Sequence, residues 1–251
     1  MRFVILTMVS FLATPLLLNG QTLSPGSAHY IINYQGKDAG SASYTIAATP
    51  GGYSIAARGD ARIGTINLAF SKNEELDSKL EIVSEALNGT LNGEAVFVAV
   101  KVDGAKFDID TSANGKRLSN VLDRNPHTIF APDFDPSAIL LFLRHAGYST
   151  NLWGLIPQQS GLLVSAKVTP QKDEKGTLKG SPIVVRHSTL VMANVTSELF
   201  STVDGQLLQQ EVPTQGFSMV RDGFILTPPK AAAPQPAASP MPSSDVPPTA
   251  N

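Results

Sequence analysis

Apolar and polar residues alternate with a period of two through the middle of the chain. Val96, Val98, Val100 and Val102 interleave with Phe97, Ala99, Lys101 and Asp103, which predicts a strand with one steadily apolar face. Asp103-Gly104 follows, and Lys106-Phe107-Asp108-Ile109-Asp110 alternates again. Asp-Gly between two alternating runs predicts a hairpin, because both central positions of the favoured tight turn take positive φ. Thr196 to Val203 runs into Asp204-Gly205, and Gln206 to Val212 returns. Near the start, Tyr44-Thr45-Ile46 and Tyr53-Ser54-Ile55 flank a turn at Thr49-Pro50-Gly51-Gly52. In 74–87, Leu76, Leu80, Val83 and Leu87 have helical spacing, yet Glu75, Asp77, Lys79 and Glu81 hold four successive odd positions. A helix would scatter those charges around its circumference and a strand gathers them on one face, so this segment also reads as a strand.

One helix stands out, over 136–146. Asp135 suits the N-cap, Pro136 the first turn, and Gly147 a left-handed C-terminal position. Arg144 and His145 fall in the last turn, where positive charge suits the helix dipole. Between them Ala138-Ile139-Leu140-Leu141-Phe142-Leu143 is apolar on every side, so the helix must be covered all round, against or inside the concave face of a sheet. Loss of the Asp135 cap alone is expected to cost about 0.5–2 kcal/mol.

The two ends differ from this middle. Arg2 is the only charge before Lys37, and Phe3 to Leu18 is apolar apart from Thr7, Ser10, Thr14 and Pro15. A single charge, a short apolar run and small or polar residues after it read as an export signal over 1–20. Cleavage is expected near Gly20–Gln21, with Ala28 as the alternative cut and an uncleaved anchor as the other reading. At the far end, eight of the 25 residues 227–251 are proline, and the segment reads as a disordered Pro/Ala-rich tail. Residues 21–226 remain, the size of one β-rich domain.

Composition narrows the chemistry. With no cysteine, disulfides, thiolate metal sites and thiol catalysis are excluded. A net charge of −2 argues against nucleic acid as a partner. Charged residues make up 16%, below the roughly 25% usual for soluble domains. There is no G-x-S-x-G elbow, phosphate-binding loop, dinucleotide fingerprint or H-E-x-x-H pair. The histidines at 29, 127, 145 and 187 have no paired spacing for a metal site, and none is expected. His187, between Arg186 and Ser188 in a strand, reads as a surface residue. His127, in the loop 123–134 near Asp123 and Asp133, is the one position a hydrolase could use. Asp108-x-Asp110-x-Ser112-x-Asn114-Gly115 imitates a calcium loop, but its glycine comes too late and Ser119 replaces the bidentate Glu. It reads as a polar strand running into an Asn-Gly turn.

The exported start, the opening Tyr30-x-x-x-Tyr34-x-Gly36-x-x-x-Gly40, the meander through Val102, the segment Asp123–Gly147 and the closing hairpin at Val203–Gln206 with Val212-Pro213 are together similar in order to the lipoprotein-carrier (LolA/LolB-like) fold. That resemblance implies a curved sheet of roughly eight to eleven strands wrapped around helices, with acyl chains held in its concavity. The fold class expected is α+β: a mostly antiparallel curved sheet or open β-barrel meander, with helix 136–146 on the concave face. The function expected is that of an exported, non-enzymatic protein, without cofactor, binding a hydrophobic small molecule or lipid. Leu80, Ile82, Val96, Val98, Val100, Ile139, Leu140, Phe142 and Leu143 are the candidate lining. The alternatives are a solid-core scaffold with an envelope protein partner and, third, the hydrolase.

Overall fold

The computed structural model describes residues 22–157 and 161–227. The expected signal segment 1–20, and all of the expected tail but Thr227, lie outside them. The chain opens with eight strands in a meander, each hydrogen-bonded antiparallel to the next. They are β1 (Gly26–Tyr34), β2 (Lys37–Thr49), β3 (Gly52–Ile63), β4 (Ile66–Asp77), β5 (Ile82–Leu91), β6 (Glu94–Asp103), β7 (Lys106–Ala113) and β8 (Lys116–Asp123). A short β9 (Thr128–Phe130) leads to helix α1 (Pro136–Ala146). The second half contains β10 (Leu152–Ile156), β11 (Leu162–Pro170), β12 (Glu174–Leu178), β13 (Ser181–Met192), β14 (Val195–Ser201), β15 (Leu207–Val212), β16 (Phe217–Arg221) and β17 (Phe224–Leu226).

One sheet joins both halves through β1, which pairs with β2 on one side and β16 on the other. From that seam one arm runs β2 to β8, and the other runs β16, β15, β14, β13, β11, β10, β9. All pairings are antiparallel except β9 with β10, which is parallel because α1 connects them. No ladder joins β8 to β9 among the described residues, so the sheet is open. The seventeen described strands exceed the eight to eleven expected, because β1–β8 alone fill a meander and the second half adds a whole arm. The Tyr30 hydroxyl, buried, donates to the Leu207 carbonyl at 2.9 Å and ties β1 across to β15.

α1 approaches β2 and β3 of the first arm and β9, β10, β11 and β15 of the second, so the sheet curls around it. Ala138, Leu140, Leu141 and Phe142 are at most 2% exposed, as a helix without a polar face requires. A smaller apolar cluster lies on the other face of the second arm, where Val185, Phe200, Leu208 and Phe224 meet under the β12–β17 pair. Adjacent residues therefore point into different cores: Leu199 and Leu207 inward, Phe200 and Leu208 outward.

Several local expectations change. Segment 74–87 is not one strand: β4 stops at Asp77, whose carboxylate accepts from the amides of Lys79 and Glu81 at 2.8 and 2.9 Å and closes a turn before β5. Leu80 sits in that turn at φ 62°, so an Asp-anchored turn overrides the alternation. In the β6–β7 hairpin Asp103 pairs with Lys106, leaving Gly104-Ala105 as the connection, and only Gly104 of these has positive φ. Asn114 and Gly115 between β7 and β8 both have positive φ, as do the residue pairs at 35–36, 92–93, 179–180 and 193–194, and this tight turn disposes of the calcium-like pattern. Gly147 is right-handed at φ −66° and ψ −14°, its amide bonding the Arg144 carbonyl at 3.3 Å.

Candidate functional site

Three features inside this fold bear on function: an apolar cavity, a buried charge cluster and a histidine–glutamate cluster. The cavity, about 310 Å³, is walled by Ile63 of β3, Leu68 and Phe70 of β4, Leu87 of β5 and Val96 and Val98 of β6, and closed by Pro132 and Phe134 of the loop before α1. Ile66 and Leu91 also line it and stand 45% and 44% exposed, so hydrocarbon continues from the cavity to the surface. Gly89 permits the close approach of β5 to β4 here, since a Cβ would lie 2.4 Å from the Ala69 carbonyl oxygen. A second cavity of about 320 Å³ lies across the same loop, between Ile139 of α1 and Leu190, Met192, Val212 and Phe217 of the second arm. The two share Pro132, Asp133 and Phe134. Phe134, at φ 62°, holds its ring 5.2 Å from that of Phe217.

The structure divides the expected lining. Val96 and Val98 line the first cavity and Ile139 the second. Leu140 borders a separate cleft beside Leu23 and Arg144. Leu80, Ile82, Val100 and Phe142 are core residues at most 2% exposed and belong to neither cavity, and Leu143 packs against that core at its edge. The reason is geometric. α1 is wedged so firmly among six strands that its central side chains fill the space they were expected to enclose.

The buried charges were not anticipated. On β4 the inward residues are Phe70, Lys72, Glu74 and Leu76. Lys72 Nζ lies 2.8 Å from Glu74 Oε2 and 2.6 Å from Asp135 Oδ2, with all three side chains fully buried. The other carboxylate oxygen of Asp135 caps α1, accepting from the Ser137 amide at 2.9 Å and its hydroxyl at 2.7 Å. One carboxylate thus joins the helix N-terminus to the sheet. Burial opposes the Lys72 charge, but Asp135, Glu74 and Glu85 outweigh it and hold the ammonium above its ordinary pKa. Glu85 faces Glu74 directly across the β4–β5 ladder. Burial, then the Glu74 charge, push the Glu85 carboxyl well above the ordinary carboxylate range. Glu74 Oε1 and both Glu85 oxygens are buried without a hydrogen-bond partner, so a proton shared between the two facing carboxyls relieves their repulsion.

The histidines take places the sequence did not indicate. His145 is fully buried instead of supporting the helix dipole, and its Nε2 donates to the Leu80 carbonyl at 3.1 Å. Burial lowers its pKa, which keeps the ring neutral. Asp123 pairs with Lys106, and a carboxylate partner of His127 is Glu81, whose Oε1 stands 3.1 Å from His127 Nδ1. The same Glu81 oxygen accepts from the His127 amide at 2.9 Å, and Arg124 lies 3.7 Å from Oε2. The His127 and His145 rings are 5.1 Å apart. His187 is no free surface residue: its nitrogens lie 3.1 Å from Glu174 and 2.7 Å from Glu198, and its ring stacks on Phe200 at 4.6 Å.

No protein-family profile matches the chain, and no curated protein matches it. A solved structure that matches is a DUF1089 family protein (PA1994) from Pseudomonas aeruginosa. It is 9% identical, with 69% of this chain and 90% of that chain covered and a TM-score of 0.45. The similarity to the lipoprotein-carrier (LolA/LolB-like) fold is withdrawn: the solved structure that matches is described as a DUF1089 family protein. The features that suggested it, Tyr30 to Gly40 and the Val203–Gln206 hairpin, are strand and glycine-turn patterns that any antiparallel meander shares.

Proposed function

We propose that the chain is an exported, non-enzymatic binding protein that takes an apolar ligand, a single short acyl chain or a small ring system, in the cavity beneath β3–β6, on the concave side of the sheet. The observation that carries this reading is the cavity itself. Its walls are mostly hydrocarbon, with Thr90 and Asp133 as polar members, it reaches the surface through Ile66 and Leu91, and its size is at the lower end of the roughly 300–1,000 Å³ usual for small-molecule sites. Such walls recognise by apolar contact, with about 25 cal/mol gained per Å² of apolar surface removed from water. The loop 132–134 would be the roof, and the second cavity behind it the space into which a longer chain extends. Export rests on the Arg2 and Phe3–Leu18 pattern.

The test is extraction of the purified full-length protein with organic solvent, followed by mass spectrometry and titration with a hydrophobic fluorescent dye. The parent is expected to carry or saturably bind one apolar molecule, and Val96→Trp, which fills the cavity, is expected to abolish it. A parent that binds nothing, or binding indifferent to Val96→Trp, would overturn the reading and leave the scaffold. The scaffold draws support from the four core residues, Leu80, Ile82, Val100 and Phe142, that were expected to line a cavity and instead pack solidly.

A further inference from the structure

We propose that Glu81, His127 and His145 together bind one divalent transition-metal ion of the zinc class. Each residue offers one ligand atom, and the three atoms lie within 4.8 Å of one another. Donors around a tetrahedral zinc stand about 3.4 Å apart, from bonds of about 2.1 Å, so holding an ion requires the widest pair to close by at most about 1.4 Å. His127 Nδ1 and Glu81 Oε1 are already 3.1 Å apart.

A second observation points to a ligand. The Nδ1 atom of His145 is buried and makes no hydrogen bond, and His127 Nδ1, also buried, has only the Glu81 carboxylate beside it. For His145 the assignment of atoms is forced. A carbonyl oxygen only accepts, so Nε2, bonded to Leu80, carries the proton, and a neutral ring then leaves a lone pair on Nδ1. His145 is 0% exposed, so bulk solvent does not reach that lone pair. A ring held by its far N–H on a backbone carbonyl, with its other nitrogen free, is the arrangement metal-bound histidines adopt. Glu81 is held in turn by the His127 amide.

Two imidazoles and a carboxylate suit zinc or another first-row ion and, without thiolates, give no special preference for soft metals. Three protein donors leave a fourth position for water or a small ligand. His127 is the accessible member, its side chain 30% exposed, and it borders a solvent-open cleft with Pro126, Ser149 and Trp153, which provides the entry path. This site is separate from the apolar cavity and stands or falls without it.

The experiment uses the full chain freed of any affinity tag and stripped with a chelator, titrated at neutral pH with Zn²⁺ and, as a spectroscopic probe, Co²⁺. The parent is expected to bind one equivalent saturably, to show a visible Co²⁺ absorption band and to melt at higher temperature with metal present. His127→Asn, chosen because asparagine tolerates the φ of 58° at this position, and Glu81→Gln, which keeps the acceptor for the His127 amide, are each expected to fold and to weaken binding roughly tenfold or more. His187→Gln, at the other histidine–carboxylate cluster, is expected to leave affinity unchanged. A parent that binds no metal would overturn the proposal. So would binding that survives both His127→Asn and Glu81→Gln, or that is lost only in His187→Gln.

Discussion

Replacing Asp135 tests whether the buried ion pair or the helix cap holds α1 in the sheet. The sequence alone assigns Asp135 a cap, and hence a loss of about 0.5–2 kcal/mol on substitution by alanine. The structure adds a second duty, because the other carboxylate oxygen lies 2.6 Å from the fully buried Lys72 ammonium. Removing one partner of a buried pair costs about 3–5 kcal/mol, since the remaining charge is left in a medium that cannot solvate it. Glu74 keeps one contact to Lys72 at 2.8 Å, which places the loss at the lower end, about 3 kcal/mol. Asp135→Asn retains a good cap and removes only the charge, so it reports the pair by itself. Asp135→Ala removes both and should lose about 1 kcal/mol more. Urea unfolding of parent and both variants at neutral pH, with equal slopes required, measures the two differences. If Asp135→Asn unfolds within about 0.5 kcal/mol of the parent, the Lys72 pair contributes nothing and this reasoning is wrong.

Three further outcomes are expected. Glu85 has a folded pKa raised well above its unfolded value, so its stabilising contribution is complete below pH about 4.3 and declines as pH rises, by up to about 1.4 kcal/mol per unit, until the folded pKa is passed. Glu85→Gln, whose amide can donate to Glu74 Oε1, should gain on the parent steadily from pH 4 to 7 in urea titrations. The opposite trend of His145, whose lowered pKa removes stability as pH falls, is common to both proteins and cancels in the difference. Phe142→Ala should cost about 3–5 kcal/mol in the same assay, and because Phe142 lies outside the cavity it should leave apolar-ligand occupancy unchanged. Gly40→Ala should lower the melting temperature more than an average core substitution, since φ is 142° and the added Cβ would sit 2.1 Å from the Asp60 carbonyl oxygen.

What the sequence determined by itself was local. Period-two runs identified β6, β7, β14 and β15, because alternation across a pleat is a property of one strand and needs no partner. The bounds of α1 were legible to the residue, since Asp135, Pro136 and an unbroken apolar centre each act within a turn of the chain. Where two local signals competed, as in 74–87, the turn at Asp77 escaped, because a charged strand and a charged turn look alike until the carboxylate is seen accepting two amides. Tertiary structure decided the rest. Lys72 and Glu74 share the face of Phe70 and Leu76 on β4, but no local rule says that charges there are buried in pairs instead of marking a solvated face, and a register shift between Glu75 and Leu76 helps turn Glu85 inward. Glu81, His127 and His145 come together from a turn, a loop and a helix end far apart in sequence, so no spacing rule could join them. The cavity depends on where the loop 132–134 lands against β3–β6. That position is set by how α1 is gripped from both arms of the sheet, a relation between distant segments that no local pattern encodes.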